Sequence, residues 1–187
     1  MNSEQVYITA NPTPNPDALK FIVDRQVVDG DPVSINNAKL AKGSPLAEKL
    51  FELDGVQSLF AFQNFVTVTK EGDQPWQEFA RSIGKVMRGH LQEGNTENFL
   101  PADKIEGDSG LVDDDKIRII KSVLDEIRPM VAMDGGNIVF AGYKDGIVTL
   151  MMQGSCAGCP SSTMTLKNGI ETRLREVLPE VKDVIAL

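Results

Sequence analysis

Short apolar runs and two amphipathic stretches dominate the first half of the chain. Runs rich in β-branched and aromatic residues predict five strands, at residues 6–10, 19–23, 32–35, 56–62 and 65–69. The amphipathic stretches predict two helices, one beginning at Pro45 with Ser44 as its cap and one opening at Pro75. Strands followed by a helix, a hairpin and a closing helix predict an α+β domain over residues 1–92.

The last 75 residues open on a strong helical pattern. Apolar positions recur there at spacings of three and four, at Ile117, Ile120, Leu124, Ile127 and Val131. We expect Pro129 to kink or restart this helix, and the run Asp134-Gly135-Gly136 to end it.

A hairpin, a second helix and a strand complete this half. Residues 137–143 and 147–152 predict strands around the Asp145-Gly146 turn. A second helical stripe comprises Leu166, Ile170, Leu174 and Val177, and residues 181–186 can return as a strand. The order α-β-β-α-β predicts a second small α+β domain over residues 113–187.

Residues 93–112 lack a sustained hydrophobic period and are rich in Gly, Asp, Glu and Asn. They carry five acidic residues and one basic residue, which is half of the net charge of −8 of the chain. This composition predicts an acidic, flexible linker. The fold class expected is therefore α+β, with two small domains joined by that linker.

Charge and hydropathy narrow the function classes. Neither half of the chain is basic, so nothing in its composition attracts a nucleic-acid backbone. No apolar run approaches the roughly 20 residues of a membrane span, and residues 1–5 have no secretory signal pattern. We therefore expect a cytoplasmic protein that binds neither nucleic acid nor membrane.

Both cysteines of the chain lie in one motif, Gly154-Ser155-Cys156-Ala157-Gly158-Cys159-Pro160, between a predicted strand and a predicted helix. Pro160 fits the first helical position, where its missing N–H is no loss. The unpaired donors and partial positive charge of a helix N-terminus favour a thiolate over a thiol. The motif is therefore a candidate site for binding through sulfur.

Four interpretations of Cys156 and Cys159 remain open on the residues alone. The pair could be reduced cysteines without a function, or a dithiol–disulfide redox site, although the Gly-Pro pair and preceding aromatic residue of many redox motifs are absent. Structural zinc takes four ligands, whereas the chain offers two thiols and one histidine, His90, in the other domain. An iron–sulfur cluster is usually held by four thiolates, which two chains meeting at a two-fold axis would supply.

The sequence gives little support for catalysis or for metal ligation by methionine. The chain has one histidine and lacks a nucleophile elbow, a Walker loop and a GxGxxG motif, so we expect no enzymatic activity. Methionines surround the cysteine motif in sequence, and we attribute them to core packing rather than to ligation. They are Met130, Met133, Met151, Met152 and Met164.

The motif with its surroundings resembles the C-terminal domain of the NifU/Nfu family of iron–sulfur scaffold and carrier proteins. The resemblance comprises Asp134-Gly135-Gly136, the hairpin, the run from Gly154 to Ser162, and Thr165-Leu166-Lys167-Asn168-Gly169-Ile170-Glu171. Asn137 departs from it, since an acidic residue is common there. Residues 7–76 are similar to the N-terminal domain of the same family, through Thr13 to Phe21, Ser44 to Ala47, Leu53 to Val56 and Val66 to Thr69.

The resemblance implies a carrier with no substrate turnover. It implies a [4Fe–4S] cluster that bridges two subunits of a homodimer, with Cys156 and Cys159 at the ligand positions; a [2Fe–2S] cluster is also compatible. The partners implied are apo iron–sulfur client proteins and an upstream cluster-assembly scaffold. For the cysteine-free N-terminal domain we expect partner docking. A dithiol redox protein is the alternative function.

Overall fold

The chain divides into two compact units, Met1–Lys104 and Ile105–Leu187. The structure, a computed structural model, describes residues 5–94, 98–99, 114–157 and 160–187, with backbone only for residues 114 and 160–163. Both units combine helices with a sheet, which confirms the predicted α+β class. No helix in the described ranges is long and apolar enough to cross a membrane.

The N-terminal unit is a five-stranded antiparallel sheet with two α-helices. Its elements are β1 (Ile8–Pro12), β2 (Ala18–Val23), β3 (Val33–Ile35), a 3₁₀ helix (Ala38–Ala41), α1 (Pro45–Phe51), β4 (Val56–Phe62), β5 (Phe65–Lys70) and α2 (Trp76–Gln92). The strand order β1-β2-β5-β4-β3 places β5 at the centre, where all six of its residues are buried. The five predicted strands and both predicted helices are present.

The start of α1 is stabilised differently from the prediction. Ser44 precedes the helix, but its side chain makes no capping hydrogen bond. Instead, the backbone N–H of Leu46 donates to the carbonyl of Asn98 at 3.2 Å. That bond satisfies one of the donors that every helix leaves unpaired in its first turn. A segment beyond the end of α2 therefore completes the N-terminus of α1.

The same segment extends the N-terminal core. Phe99 is only 6% exposed and packs with the buried side chains of this unit. Asn98 and Phe99 belong to the stretch predicted as linker, so the predicted domain boundary at residue 92 is too early. Most of the remaining linker lies outside the described residues, and its flexibility stays a prediction.

The C-terminal unit has the predicted α-β-β-α-β order. Its elements are α3 (Asp114–Met133), β6 (Gly136–Lys144), β7 (Ile147–Gly154), α4 (Pro160–Val177) and β8 (Asp183–Ala186). The sheet order is β6-β7-β8, with β7 antiparallel to β6 and parallel to β8. Its core contains residues from every element, including Ile120, Leu124, Ile138, Leu150, Ile170, Leu174 and Val184.

Two details of this unit differ from the sequence prediction. The helix α3 continues through Pro129, so the helix does not restart there, and a kink at Pro129 stays a prediction. Val177, predicted to belong to the buried stripe of α4, is 43% exposed, and Leu178 is buried in its place. Leu178 lies four residues after Leu174, so it continues the same helical face, and its N–H donates to the carbonyl of Leu174 at 2.7 Å.

His90 is buried on α2, with 2% of its surface exposed. Burial lowers the pKa of His90 below the ordinary value of 6.5, and the positive charge of Lys49 lowers it further. The neighbouring Asn98 side chain and the negative charge of Glu93 act on this pKa in the opposite direction. The site therefore disfavours the charged imidazolium.

The role of Phe99 can be tested in the intact chain. Replacing it with alanine (Phe99→Ala) should destabilise the N-terminal unit by about 3 kcal/mol, because a buried aromatic side chain leaves a cavity. Trp76 is the one tryptophan of the sequence and lies in this unit, so its fluorescence in a urea titration measures this stability. The control is Leu40→Ala, at a half-exposed position of the same unit, which should change stability by less than about 0.5 kcal/mol. Equal effects of the two substitutions would show that Phe99 is not part of the core.

The N-terminal unit should lose stability as the pH falls below about 6.5. The unfolded chain binds a proton at His90 more readily than the folded chain, so stability is full above that pH and declines toward the lowered pKa. Urea titrations followed by Trp76 fluorescence between pH 7.5 and 5.5 measure the decline. Histidine is the side chain whose ordinary pKa lies in this range, and the sequence has one histidine, His90. His90→Gln should flatten the decline, and an unchanged slope in that variant would contradict the assignment.

Candidate metal-binding site at the cysteine motif

Cys156 lies in the turn between β7 and α4, as the sequence predicts. Gly154 enters the turn with φ of +65°, a backbone conformation that favours glycine. The N–H of Ala157 then donates to the carbonyl of Gly154 at 3.1 Å, which closes the turn. Pro160 is the first residue of α4. Cys159 and Gly158 lie outside the described residues, so the assignment of Cys159 stays a prediction.

Ser155 fastens this turn to the end of α3. Its hydroxyl donates to the carbonyl of Asp134 at 2.6 Å, and its backbone N–H donates to the carbonyl of Gly135 at 3.1 Å. Ser155 is 1% exposed, so both bonds lie in the interior, where hydrogen bonds are costly to leave unmade. The position of Cys156 is therefore set by the loop that ends α3 as well as by its own strand.

Gly136 provides the space for the Cys156 side chain. A Cβ atom at position 136 would lie 2.5 Å from Cys156 Sγ and 3.0 Å from the carbonyl oxygen of Gln153. Real Cβ atoms essentially never approach another atom so closely, so a side chain here would displace the thiol or the strand. The sequence analysis assigned Gly135-Gly136 only to ending a helix and missed this contact.

The thiol of Cys156 faces the interior. Cys156 is 6% exposed and packs with the C-terminal core. The predicted helix N-terminus is present, but the sulfur atom is shielded from solvent. A ligand shared with another chain can reach it only if the side chain or its turn moves outward.

The neighbouring polar residue Asn137 has a structural partner. Its side-chain amide donates to Gln153 Oε1 at 3.1 Å across the hairpin. His90 was considered as a ligand for structural zinc in the sequence analysis. It lies in the N-terminal unit, whereas Cys156 lies in the C-terminal unit. Within the described ranges, no group of three or more His, Cys, Asp or Glu side chains is placed to hold a metal ion.

The methionines near the motif are mostly exposed. Met130, Met133 and Met164 are 65%, 78% and 66% exposed, so their attribution to core packing is wrong. Met152 alone is fully buried, at 6%, and Met151 is half-buried. The first three lie on helix faces that point away from the core, a placement that the irregular spacing of methionines does not reveal.

Two family models match the chain and together span most of it. The model described as "NifU-like domain" matches residues 120–185. The model described as "Scaffold protein Nfu/NifU N terminal" matches residues 8–94. The first match contains the cysteine motif, and the second covers the whole N-terminal sheet with both of its helices.

Curated relatives align along nearly the whole chain. The human protein named "NFU1 iron-sulfur cluster scaffold homolog, mitochondrial" is 38% identical over 182 residues, which are 96% of this chain and 71% of that protein. The protein of the same name from Drosophila ananassae is 38% identical over 97% of this chain and 64% of its own length. The chain thus spans about two thirds of these relatives.

Among solved structures, the solution NMR structure of a NifU-like protein from Saccharomyces cerevisiae is 27% identical. The match covers 53% of this chain and 89% of that one, with a TM-score of 0.47.

The contact between Gly136 and Cys156 generates a specific prediction. Gly136→Ala should expose the Cys156 thiol and speed its alkylation roughly tenfold, which corresponds to about 1.4 kcal/mol of local destabilisation from overpacking. The measurement is mass spectrometry of iodoacetamide labelling in a Cys159→Ser background, where Cys156 is the one remaining thiol.

Gly142→Ala is the matched control on the same strand. A Cβ atom there has no atom within 4 Å, so this substitution should leave the alkylation rate unchanged. If Gly136→Ala and Gly142→Ala label at the same rate, the close contact does not hold the thiol in place.

Proposed function

The chain belongs to the NifU/Nfu family, and we propose that it carries a [4Fe–4S] cluster between two copies of itself and transfers it to apo-proteins. The family matches and the scaffold names of its relatives support a role in iron–sulfur cluster biogenesis. An upstream assembly scaffold would supply the cluster, and apo iron–sulfur client proteins would receive it. The cluster is the cargo of this protein.

The observation that carries the proposal is the number and placement of the thiols. The whole sequence has two cysteines, and both lie in the motif between β7 and α4. A cluster of this type is usually held by four thiolates. Two chains related by a two-fold axis supply four from a single motif, Cys156 and Cys159 of each.

A site shared in this way suits delivery. Each transfer step breaks an iron bond to a carrier thiolate and forms one to a client thiolate, with no change in oxidation state. The client cysteine gives up its proton and the released carrier cysteine regains one. Because half of the ligands belong to each copy, separation of the copies weakens the hold on the cluster.

The buried position of Cys156 adds a requirement to this function. Its sulfur atom must become accessible when the cluster arrives. The hydrogen bonds of Ser155 to the carbonyls of Asp134 and Gly135 hold the turn against the end of α3. We propose that cluster loading moves the Cys156 side chain outward while Ser155 keeps the turn attached to α3.

A cytoplasmic location remains a proposal. The names of the relatives contain the word mitochondrial, which describes those proteins.

Anaerobic incubation with ferric iron, a thiol reductant and sulfide should load about two iron and two sulfide per chain, half of a four-iron cluster, and convert the protein to a dimer. Cys156→Ala should bind no cluster, because each dimer then loses two of four ligands. The measurements are iron and sulfide analysis, visible absorbance and sedimentation. Far-UV circular dichroism checks that the variant is folded.

The other possible results of this loading experiment would each support a different cofactor, function or ligand assignment. About one iron per chain would indicate a [2Fe–2S] cluster. A protein without a chromophore that forms a reversible disulfide and shows reductase activity would be a dithiol redox protein. Cluster retention by Cys156→Ala would show that this residue is not a ligand, and Gly142→Ala serves as a substitution that should load normally.

A further inference from the structure

We infer that Met130, Met133 and Met164 form a surface, the methionine patch, that a second copy of this chain covers when two copies share a cluster. The inference rests on the proposed function and deepens it, because it assigns the protein surface that brings the two half-sites together. The patch supplies contacts and not ligands.

The patch adjoins the Cys156 turn on both of its sides. Met133 is the last residue of α3, and the next two residues, Asp134 and Gly135, accept the hydrogen bonds of Ser155. Met130 lies one turn earlier, on the same face of α3. Met164 lies in the second turn of α4, the helix that leaves the cysteine motif. Both helix ends that carry the patch therefore meet the turn that holds the thiol.

The exposure of these side chains is concentrated at this end of the unit. Four large hydrophobic side chains are more than half exposed in the described part of the C-terminal unit. Three of them are Met130, Met133 and Met164, and the fourth is the chain terminus, Leu187. Large apolar side chains grouped on a surface mark interaction sites more often than scattered ones do.

The number of thiolates in one chain indicates that a second copy of the chain covers the methionine patch. One chain provides two of four thiolates, so a second copy must place its own Cys156 turn against the same cluster. In a two-fold arrangement the surfaces that flank the two turns face each other, and the patch of one copy meets the same patch of its partner. Apolar side chains gain by being removed from water there.

Methionine also suits the reversibility of this contact. Its side chain is unbranched and flexible, so it adapts to a facing surface without a fixed fit. A contact made of such side chains can form when the cluster binds and separate when the cluster leaves. A branched, closely fitted interface would favour a permanent dimer.

The test compares two double variants with the same added charge. Met133→Lys/Met164→Lys alters the patch on α3 and α4. Ile119→Lys/Val177→Lys is the control, because it places lysines at exposed apolar positions of the same two helices, 38% and 43% exposed, near their opposite ends. Both proteins and the unaltered chain are loaded anaerobically with iron and sulfide. Sedimentation and iron per chain are then measured over a range of protein concentrations.

We expect the patch variant to need at least about tenfold higher concentration than the control for half-maximal dimer formation and loading. Loading should recover at high concentration, since the cysteines are intact. Carbene footprinting by mass spectrometry should show that loading protects the peptides of Met130, Met133 and Met164 in the unaltered chain. The peptides of Ile119 and Val177 should label equally with and without the cluster.

The outcomes separate the inference from the proposed function. If the unaltered chain binds no cluster, both are overturned. If it loads and dimerises while the patch variant matches the control, the inference alone is overturned. A patch variant that dimerises normally but no longer transfers its cluster would assign the patch to client proteins instead of a second copy.

Discussion

The C-terminal unit depends on the close packing of the Cys156 turn against the corner between α3 and β6. Two hydrogen bonds from Ser155 and the absence of a side chain at Gly136 allow this approach. Every element that bears on the site meets here, since β7 leads into the turn, α4 leaves it and α3 ends beside it. The thiol is therefore positioned by residues about 20 positions away in the chain as well as by its neighbours.

In the N-terminal unit, too, residues distant in the chain complete a helix and the core. Its helix α1 is completed by the carbonyl of Asn98, and its core by the ring of Phe99. Both residues lie a few positions beyond the end of α2 at Gln92, so a part of the connecting segment packs with the N-terminal unit. His90, buried beside Asn98, ties the stability of this region to pH.

The extent to which the sequence predicts this structure depends on periodicity. Strands and helices have regular apolar spacing, so all eight predicted strands and four predicted helices are present. Phe99 has no periodic context, and its docking depends on a surface that exists only after folding. Gly136 shows a subtler limit: counting back from the Asp145-Gly146 turn pairs it with Ser155, but a bulge near Phe140 shifts the register and places it opposite Gly154.

The sulfur atoms around the site divide into buried and exposed ones. The structure buries Cys156 and exposes Met130, Met133 and Met164, three of the methionines that the sequence analysis attributed to core packing. Both features suit the proposed carrier function. A shielded thiol resists oxidation and unwanted exchange, because reactivity requires an exposed thiolate. In the proposed homodimer, the exposed flexible side chains next to it would provide contacts to the second copy. Assembly of the two copies and opening of the site would then belong to one event, so that neither copy alone would present a reactive half-site.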